Sequence, residues 1–256
     1  MRPEPILTVA AQAAAQAELL NARSRGMTPA EVLAAALGDP GVGRIAMVSS
    51  FGAESVVLLH MVAQIDRTLP VIFLDTQLMF AETYDYQREV AERLGLADLR
   101  IVRPEPAALA VADADGKLHR RDADACCHLR KTLPLESALA DFDAWITGRK
   151  RFQGAGRVTL DHFEAEATGR LKINPLAHLG RQEIAAYMAE HDLPPHPLVA
   201  RGFTSIGCAP CTTRTLPGED PRAGRWRGSD KNECGVHFLG RGLVRTGEAD
   251  EEEEAA

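Results

Sequence analysis

The alternation of short apolar runs with helix-length stretches between Arg44 and Arg103 constrains this chain more than any other feature. Arg44–Ser50 (RIAMVSS), Pro70–Asp75 (PVIFLD) and Leu99–Arg103 (LRIVR) have the length and branched, apolar content of buried strands. Glu54–Ile65 and Ala81–Leu94, between them, have the length of helices. Strands separated by helices at this spacing return parallel through right-handed crossovers, which predicts an α/β fold with a mostly parallel sheet. Upstream, the alanine-rich stretch from about Thr8 to Arg23 reads as a helix, and Thr28-Pro29-Ala30-Glu31 reads as a capping box opening a second helix to about Leu37. Downstream, the pattern predicts a helix from about Cys127 to Asp141, broken near Pro134, and a strand at Asp143–Thr147. An extended piece at Leu171–Asn174 and a helix over Arg181–His191 follow. From His196 onward the chain is rich in Gly, Pro and Arg and reads as loop. There is no internal repeat.

At 256 residues and 45% apolar content the chain suits one α/β domain, or one with an appendage, and excludes collagen, disordered and disulfide-scaffold classes. No apolar run approaches the roughly 20 residues of a membrane span, and the N-terminus lacks a basic-then-apolar leader pattern. A cytoplasmic protein with reduced thiols is expected, with no membrane or nucleic-acid partner. The net charge of −7 is largely a tail property, because the nine residues from Glu248 carry six acidic groups and leave −1 for the rest. Residues 201–245 instead hold eight Lys/Arg against four Asp/Glu, which points to an anionic ligand there.

Ser49-Ser50-Phe51-Gly52-Ala53-Glu54-Ser55 joins the first strand to its helix. Ligands of open α/β sheets sit beyond the carboxyl ends of the strands. A Ser/Gly turn there presents backbone N–H groups and hydroxyls to a phosphate, with Ser50 and Gly52 as the candidates. Simple helix capping by Ser50 is the other reading. Leu74-Asp75-Thr76 ends the second strand on the same rim, where a carboxylate and hydroxyl meet a ribose or adenine edge, or cap a helix.

The five cysteines fall as an adjacent pair, Cys126-Cys127, a CxxC pair, Cys208 and Cys211, and a lone Cys234. Four thiolates suit Zn²⁺ or an iron–sulfur cluster, and the adjacent pair, unusual for structural zinc, favours iron–sulfur. Buried apolar cysteines beside a redox dithiol are the alternative. Cys234, in Lys231-Asn232-Glu233-Cys234-Gly235-Val236-His237 with Arg222, Arg225 and Arg227 upstream, has the cationic setting that favours a nucleophilic thiolate.

Taken together, five pieces resemble the assimilatory adenylyl-sulfate (APS) reductases, the iron–sulfur branch of the APS/PAPS reductase family. They are Ser50–Glu54, Phe73–Thr76, Cys126–Lys131, Thr147–Gln153 and the block from Gly207 to His237, which holds GCAPCTTRT, GEDPRAGRW and KNECGVH. The resemblance implies the PP-loop adenine-nucleotide fold, a doubly wound, mostly parallel sheet. It implies thioredoxin-dependent reduction of APS to sulfite and AMP through an S-sulfonated Cys234. It assigns Cys126, Cys127, Cys208 and Cys211 to a [4Fe-4S] cluster, and Lys131, Arg222, Arg225 and His237 to the catalytic set. It places Arg149, Lys150, Arg151 and Arg157 in the nucleotide-binding segment, with Ser50, Gly52, Leu74, Asp75 and Thr76. Ser55, Lys150, Gly154 and Arg227 depart from the usual family residues.

The expected organisation is N-terminal helices over 1–40, a nucleotide-binding domain over 41–200, a mobile catalytic segment over 201–240 and an acidic disordered tail over 241–256. Reduction of PAPS is the close alternative. A PP-loop ATP pyrophosphatase, or a zinc- or cluster-bearing nucleotide sensor, is more distant. Thioredoxin is the expected partner, and assembly with further copies of the chain stays open.

Overall fold

The computed structural model describes residues 8–154, 157–231 and 233–238. The acidic tail predicted over 241–256 lies outside them. Helix α1 (Val9–Arg23) starts where the Thr8 side chain accepts the Ala11 N–H, and α2 (Pro29–Gly38) starts at the predicted capping box, with Thr28 and Glu31 bonded reciprocally. The predicted alternation follows as β1 (Ile45–Ser49), α3 (Ser55–Ile65), β2 (Val71–Leu74), α4 (Ala81–Leu94) and β3 (Leu99–Val102). Gly95 stops α4 in the left-handed conformation, φ 65°, that a side chain would disfavour.

Three short helices that the apolar pattern did not signal come next: α5 (Pro106–Ala112), α6 (Leu118–Arg121) and α7 (Ala123–Cys127). Neither α5 nor α6 buries a residue, so neither carries a periodic apolar stripe. The predicted helix with a break at Pro134 differs in detail. Helix α7 runs through a π turn at His128–Thr132 into α8 (Leu133–Ala138), with Pro134 in its first turn. The wider turn lets the chain continue where the proline ring would clash with an ordinary ladder. The remaining elements are β4 (Ala144–Ile146), β5 (Phe163–Ala165), β6 (Leu171–Ile173) and α9 (Arg181–Glu190).

The six strands are ordered β3-β2-β1-β4-β6-β5, all parallel except the β5–β6 pair. The chain steps outward from β1 through β2 to β3, then returns to place β4 on the other side of β1. Strand β5 is too short, and Phe-Glu-Ala too weakly apolar, for a strand signal. Its edge is closed by Asn21 of α1, which donates to the Phe163 carbonyl and accepts the Phe163 N–H, each at 2.8 Å. The N-terminal helices therefore belong to the main body. Ala17, Leu33 and Ala36 share one buried cluster with Met47, Val71 and Ile146 of the sheet. Among the described residues no helix is long and apolar enough to cross a membrane.

One buried ion pair ties the short helices to the sheet. Asp113 and Arg130 have side chains 0% and 7% exposed and pair at 2.7 Å, and Arg130 also donates to the Thr76 carbonyl at 2.8 Å. Asp113→Ala would leave the guanidinium buried and uncompensated. It is expected to cost about 3–5 kcal/mol, measured by urea unfolding of the intact protein.

Candidate active site

The reversal of strand order at β1 opens a cavity of about 690 Å³ at the carboxyl ends of β1, β2 and β4. One wall is the turn after β1. Phe51 is fully buried there at φ 47°, and its N–H donates to the Ser49 hydroxyl. The Gly52 N–H donates to the Ser55 hydroxyl at 2.9 Å, so the serine that departs from the family pattern braces this loop. A β-carbon on Gly52 would lie 3.2 Å from the Ile206 carbonyl, which makes the glycine a packing requirement as well as an opening toward the cavity. Helix α3 has Glu54 at its N-cap position with no side-chain cap. Ser50 thus faces the cavity rather than capping the helix.

The cations on the opposite walls divide by their counter-ions. Lys150 pairs with Glu54 at 2.8 Å, Arg149 with Glu164, and Arg157 with Glu233, which also meets Arg222 at 3.2 Å. The two arginines outweigh burial and hold the Glu233 carboxyl below its usual range. Lys131 and Arg225 also line the cavity, but neither has a carboxylate partner among the described residues. Burial opposes the charge on Lys131, yet the sulfurs of Cys208, Cys234 and Cys127 keep its ammonium above the ordinary range. Arg225 lies over the Trp226 ring at 4.5 Å, with a buried Nε that has no hydrogen-bond partner. Gly207 makes room for it, since a β-carbon there would fall 2.3 Å from the guanidinium. Gly224 is likewise needed for close packing, against the Thr213 carbonyl at 2.2 Å. Both glycines are thus required by packing.

All five cysteines are free thiols, and four of them are buried. The π turn and the single 3-10 turn at Ala209–Cys211 bring the CC and CxxC pairs together behind the cavity wall. Burial and the nearby sulfurs of Cys208 and Cys211 push the Cys126 thiol up to about 12. The Thr76 hydroxyl lies 3.2 Å from Cys208 Sγ, so its role is at the cysteines as well as on the cavity wall. Among the described residues no three His, Cys, Asp or Glu side chains converge on a single metal ion. The donor chemistry, four soft sulfurs beside Lys131 and Arg225, those of Cys126, Cys127 and Cys208 buried and that of Cys211 partly so, fits an iron–sulfur cluster.

Cys234 is 8% exposed and lines the end of the cavity. The Cys127 thiol, the Lys131 ammonium and the Val236 N–H together hold its thiol well below the usual range. The segment that carries Cys234 lies against the body: Lys231 pairs with Asp124, Glu233 bridges two arginines, and His237 stacks on Trp145. Burial and the surrounding cations keep the His237 ring neutral.

Most predicted site residues thus meet on one cavity: Ser50, Gly52, Leu74, Thr76, Lys131, Arg149, Lys150, Arg157, Arg222, Arg225, Cys234 and His237. Asp75 and Arg151 do not. The Asp75 carboxylate is taken by Tyr84, Arg103 and the Gln77 N–H at 2.6, 2.8 and 2.9 Å. Arg151 donates to the Leu160 carbonyl and lines a separate pocket with His162 and His178. The departing residue Arg227 pairs with Glu219 at 2.7 Å, off the cavity. Trp145, Glu233 and Lys172 were missed or left without a role. The one available signal was a lysine in the middle of an apolar strand, Leu171-Lys172-Ile173.

The phosphoadenosine phosphosulfate reductase domain model matches residues 44–214. An adenosine 5'-phosphosulfate reductase of Mesorhizobium japonicum is 50% identical over 227 residues, covering 89% of each chain. A protein of the same name from Chelativorans sp. is 50% identical over 198 residues, covering 77% of this chain and 80% of its own. The crystal structure of a phosphoadenylyl-sulfate (PAPS) reductase from Candida auris in complex with phosphate superposes with a TM-score of 0.66. It is 27% identical and covers 82% of this chain and 100% of its own. The family model and these relatives, over most of the chain, show that it belongs to the phosphoadenosine phosphosulfate reductase family.

Proposed function

We propose that this protein is an adenylyl-sulfate reductase, converting APS to sulfite and AMP with thioredoxin as reductant, in the cytoplasm and in the service of sulfate assimilation. The observation that carries the reading is the position of Cys234. Its thiol sits on the same cavity as the Ser50–Gly52 loop, beside two cations that no carboxylate neutralises among the described residues.

The cavity matches the substrate by parts. The turn after β1 and the start of α3 receive the α-phosphate. The loop after β4, with Arg149 and Lys150, faces the nucleotide side, and Lys131 and Arg225 face the sulfate. The difficulty of the reaction is charge, because a thiolate must approach an anionic sulfuryl group. Fixed cations in a dry site lower that repulsion and stabilise the charge gathering on the departing phosphate. Cys234 Sγ forms a bond to the sulfate sulfur, the bond from that sulfur to the bridging phosphate oxygen breaks, and AMP leaves. A thioredoxin thiolate then attacks Cys234 Sγ and expels sulfite, and its second thiol resolves the mixed disulfide, supplying both electrons. Cys234 is buried where it faces substrate, so the segment that carries it moves outward to meet thioredoxin, a gating step of the usual kind.

Cys126, Cys127, Cys208 and Cys211 are the residues proposed to hold a [4Fe-4S] cluster. When bound, it supplies a fixed electrostatic environment next to Lys131 rather than electrons for the reaction.

Intact mass after incubation of the iron-replete protein with APS, without thioredoxin, is expected to rise by one SO₃ group, and not to rise in Cys234→Ser. An unchanged mass in the unsubstituted protein would refute the reading. Lys131→Met and Arg225→Gln are each expected to slow single-turnover sulfonation by about 10²–10³-fold, whereas Arg227→Ala, paired away from the cavity, should leave it unchanged. Competition between APS and PAPS at equal concentration is expected to yield product from APS, and a preference for PAPS would reassign the substrate.

A further inference from the structure

Lys172 is a buried cation in the middle of β6, and the proposed chemistry gives it nothing to do. It is absent from the cavity wall, and its side chain is only 5% exposed. All three residues of β6 are buried, and an apolar side chain there would avoid the cost of taking an ammonium out of water. Burial and the nearby Arg149 push the Lys172 amine down to about 8, against the pull of Glu166. The side chain is nonetheless held on three sides. Its Nζ lies 3.4 Å from Glu166 Oε1 and 5.3 Å from the centre of the Trp145 ring. Its third contact reaches out of the sheet: Nζ donates to the backbone carbonyl of His237 at 3.0 Å.

That carbonyl belongs to the turn that carries Cys234. The turn Gly235–Phe238 is a single 3-10 turn, and the His237 N–H donates back to the Cys234 carbonyl at 3.2 Å. A grip on His237 is therefore transmitted to Cys234 through one rigid turn. The same platform holds the His237 ring, which lies parallel to Trp145 within 5° at 6.4 Å between centres. Trp145 is itself fixed, because its Nε1 donates to Glu166 at 3.1 Å. Trp145 of β4, Lys172 of β6 and Glu166, which directly follows β5, thus present one indole, one ammonium and one carboxylate as a seat for the segment.

We propose that Lys172 is a positioning residue, which fastens the catalytic segment at the His237 carbonyl and thereby sets Cys234 at the end of the cavity. Its effect on activity rests on Cys234 being the nucleophile, whereas its effect on where Cys234 sits does not. The ammonium acts through the segment backbone and does not touch substrate. Its loss shifts the segment from the docked to the undocked form and leaves the nucleotide side of the cavity intact.

The test uses the full-length, iron-replete protein and the variant Lys172→Met, in which Glu166 keeps Trp145 and Arg170 as partners. Alkylation of Cys234 by iodoacetamide without substrate, followed by peptide mass, is expected to speed up about tenfold, the factor carried by one charge-assisted hydrogen bond. Single-turnover sulfonation by APS is expected to fall by a similar factor, with AMP affinity and the visible spectrum unchanged. Unchanged protection of Cys234 would overturn the proposal. So would equal losses of AMP affinity and sulfonation, the pattern of general damage. Should Lys172→Met fail to accumulate as folded protein, Glu166→Gln keeps the lysine but weakens its anchor. That variant is expected to raise alkylation of Cys234 severalfold, and unchanged protection there overturns the proposal equally. Alkylation needs no turnover, so absence of a sulfonated adduct in the unsubstituted protein would remove the reaction assigned above without touching this result.

Discussion

The two loops that follow β1 and β4 must leave the sheet in opposite directions, because the chain extends the sheet on one side of β1 and then returns to build the other. No side chain chooses this; it is a consequence of strand order in a parallel sheet. The gap between the diverging loops is the cavity. It puts the Ser50–Gly52 turn and the Arg149-Lys150 pair on facing walls, and it leaves an open end that the segment from Phe203 to His237 covers. Every feature of the site inherits its position from that reversal.

The balance of charge across this cavity separates cations that pair with carboxylates from those that, among the described residues, do not. A buried cation needs a counter-charge, and Arg149, Lys150, Arg157 and Arg222 have theirs in Glu164, Glu54 and Glu233. Lys131 and Arg225 have sulfur and indole neighbours instead. Net charge and motif order pointed to all of these residues alike, since a sequence does not say which carboxylate reaches which arginine. Glu233 is the clearest case. Next to Cys234 in the chain, it ties down Arg157, 76 positions away, and so fastens the segment carrying Cys234 to the α/β body.

Much of the fold was legible because its signals are local. The capping box at Thr28, the glycine stop of α4 and the apolar runs of β1, β2 and β3 each follow from a handful of adjacent residues. Strand β5 was not legible, because it is held by Asn21 and by pairing to β6 rather than by its own composition. The π turn escaped for a related reason. Pro134 reads as a helix break, and only the packing of α7 and α8 against the sheet makes a widened turn the better solution. The partners of Asp75 were not legible either, because a carboxylate at a strand end looks the same in sequence whether it faces a ribose or meets a tyrosine and an arginine, as it does in the structure.

By itself the sequence determined the class of sheet, the spacing of the cysteines as two pairs and a lone Cys234, and most of the predicted residues that line the cavity. Those properties depend on residue type and on short spacings, which the chain carries wherever it goes. Tertiary structure decided which cations stay without a carboxylate, that Arg151 faces away, and that a lysine from β6 grips the turn bearing Cys234. These outcomes depend on which side chains come within hydrogen-bond reach across tens of residues of chain. The packing of the whole sheet sets that distance, and no local pattern encodes it.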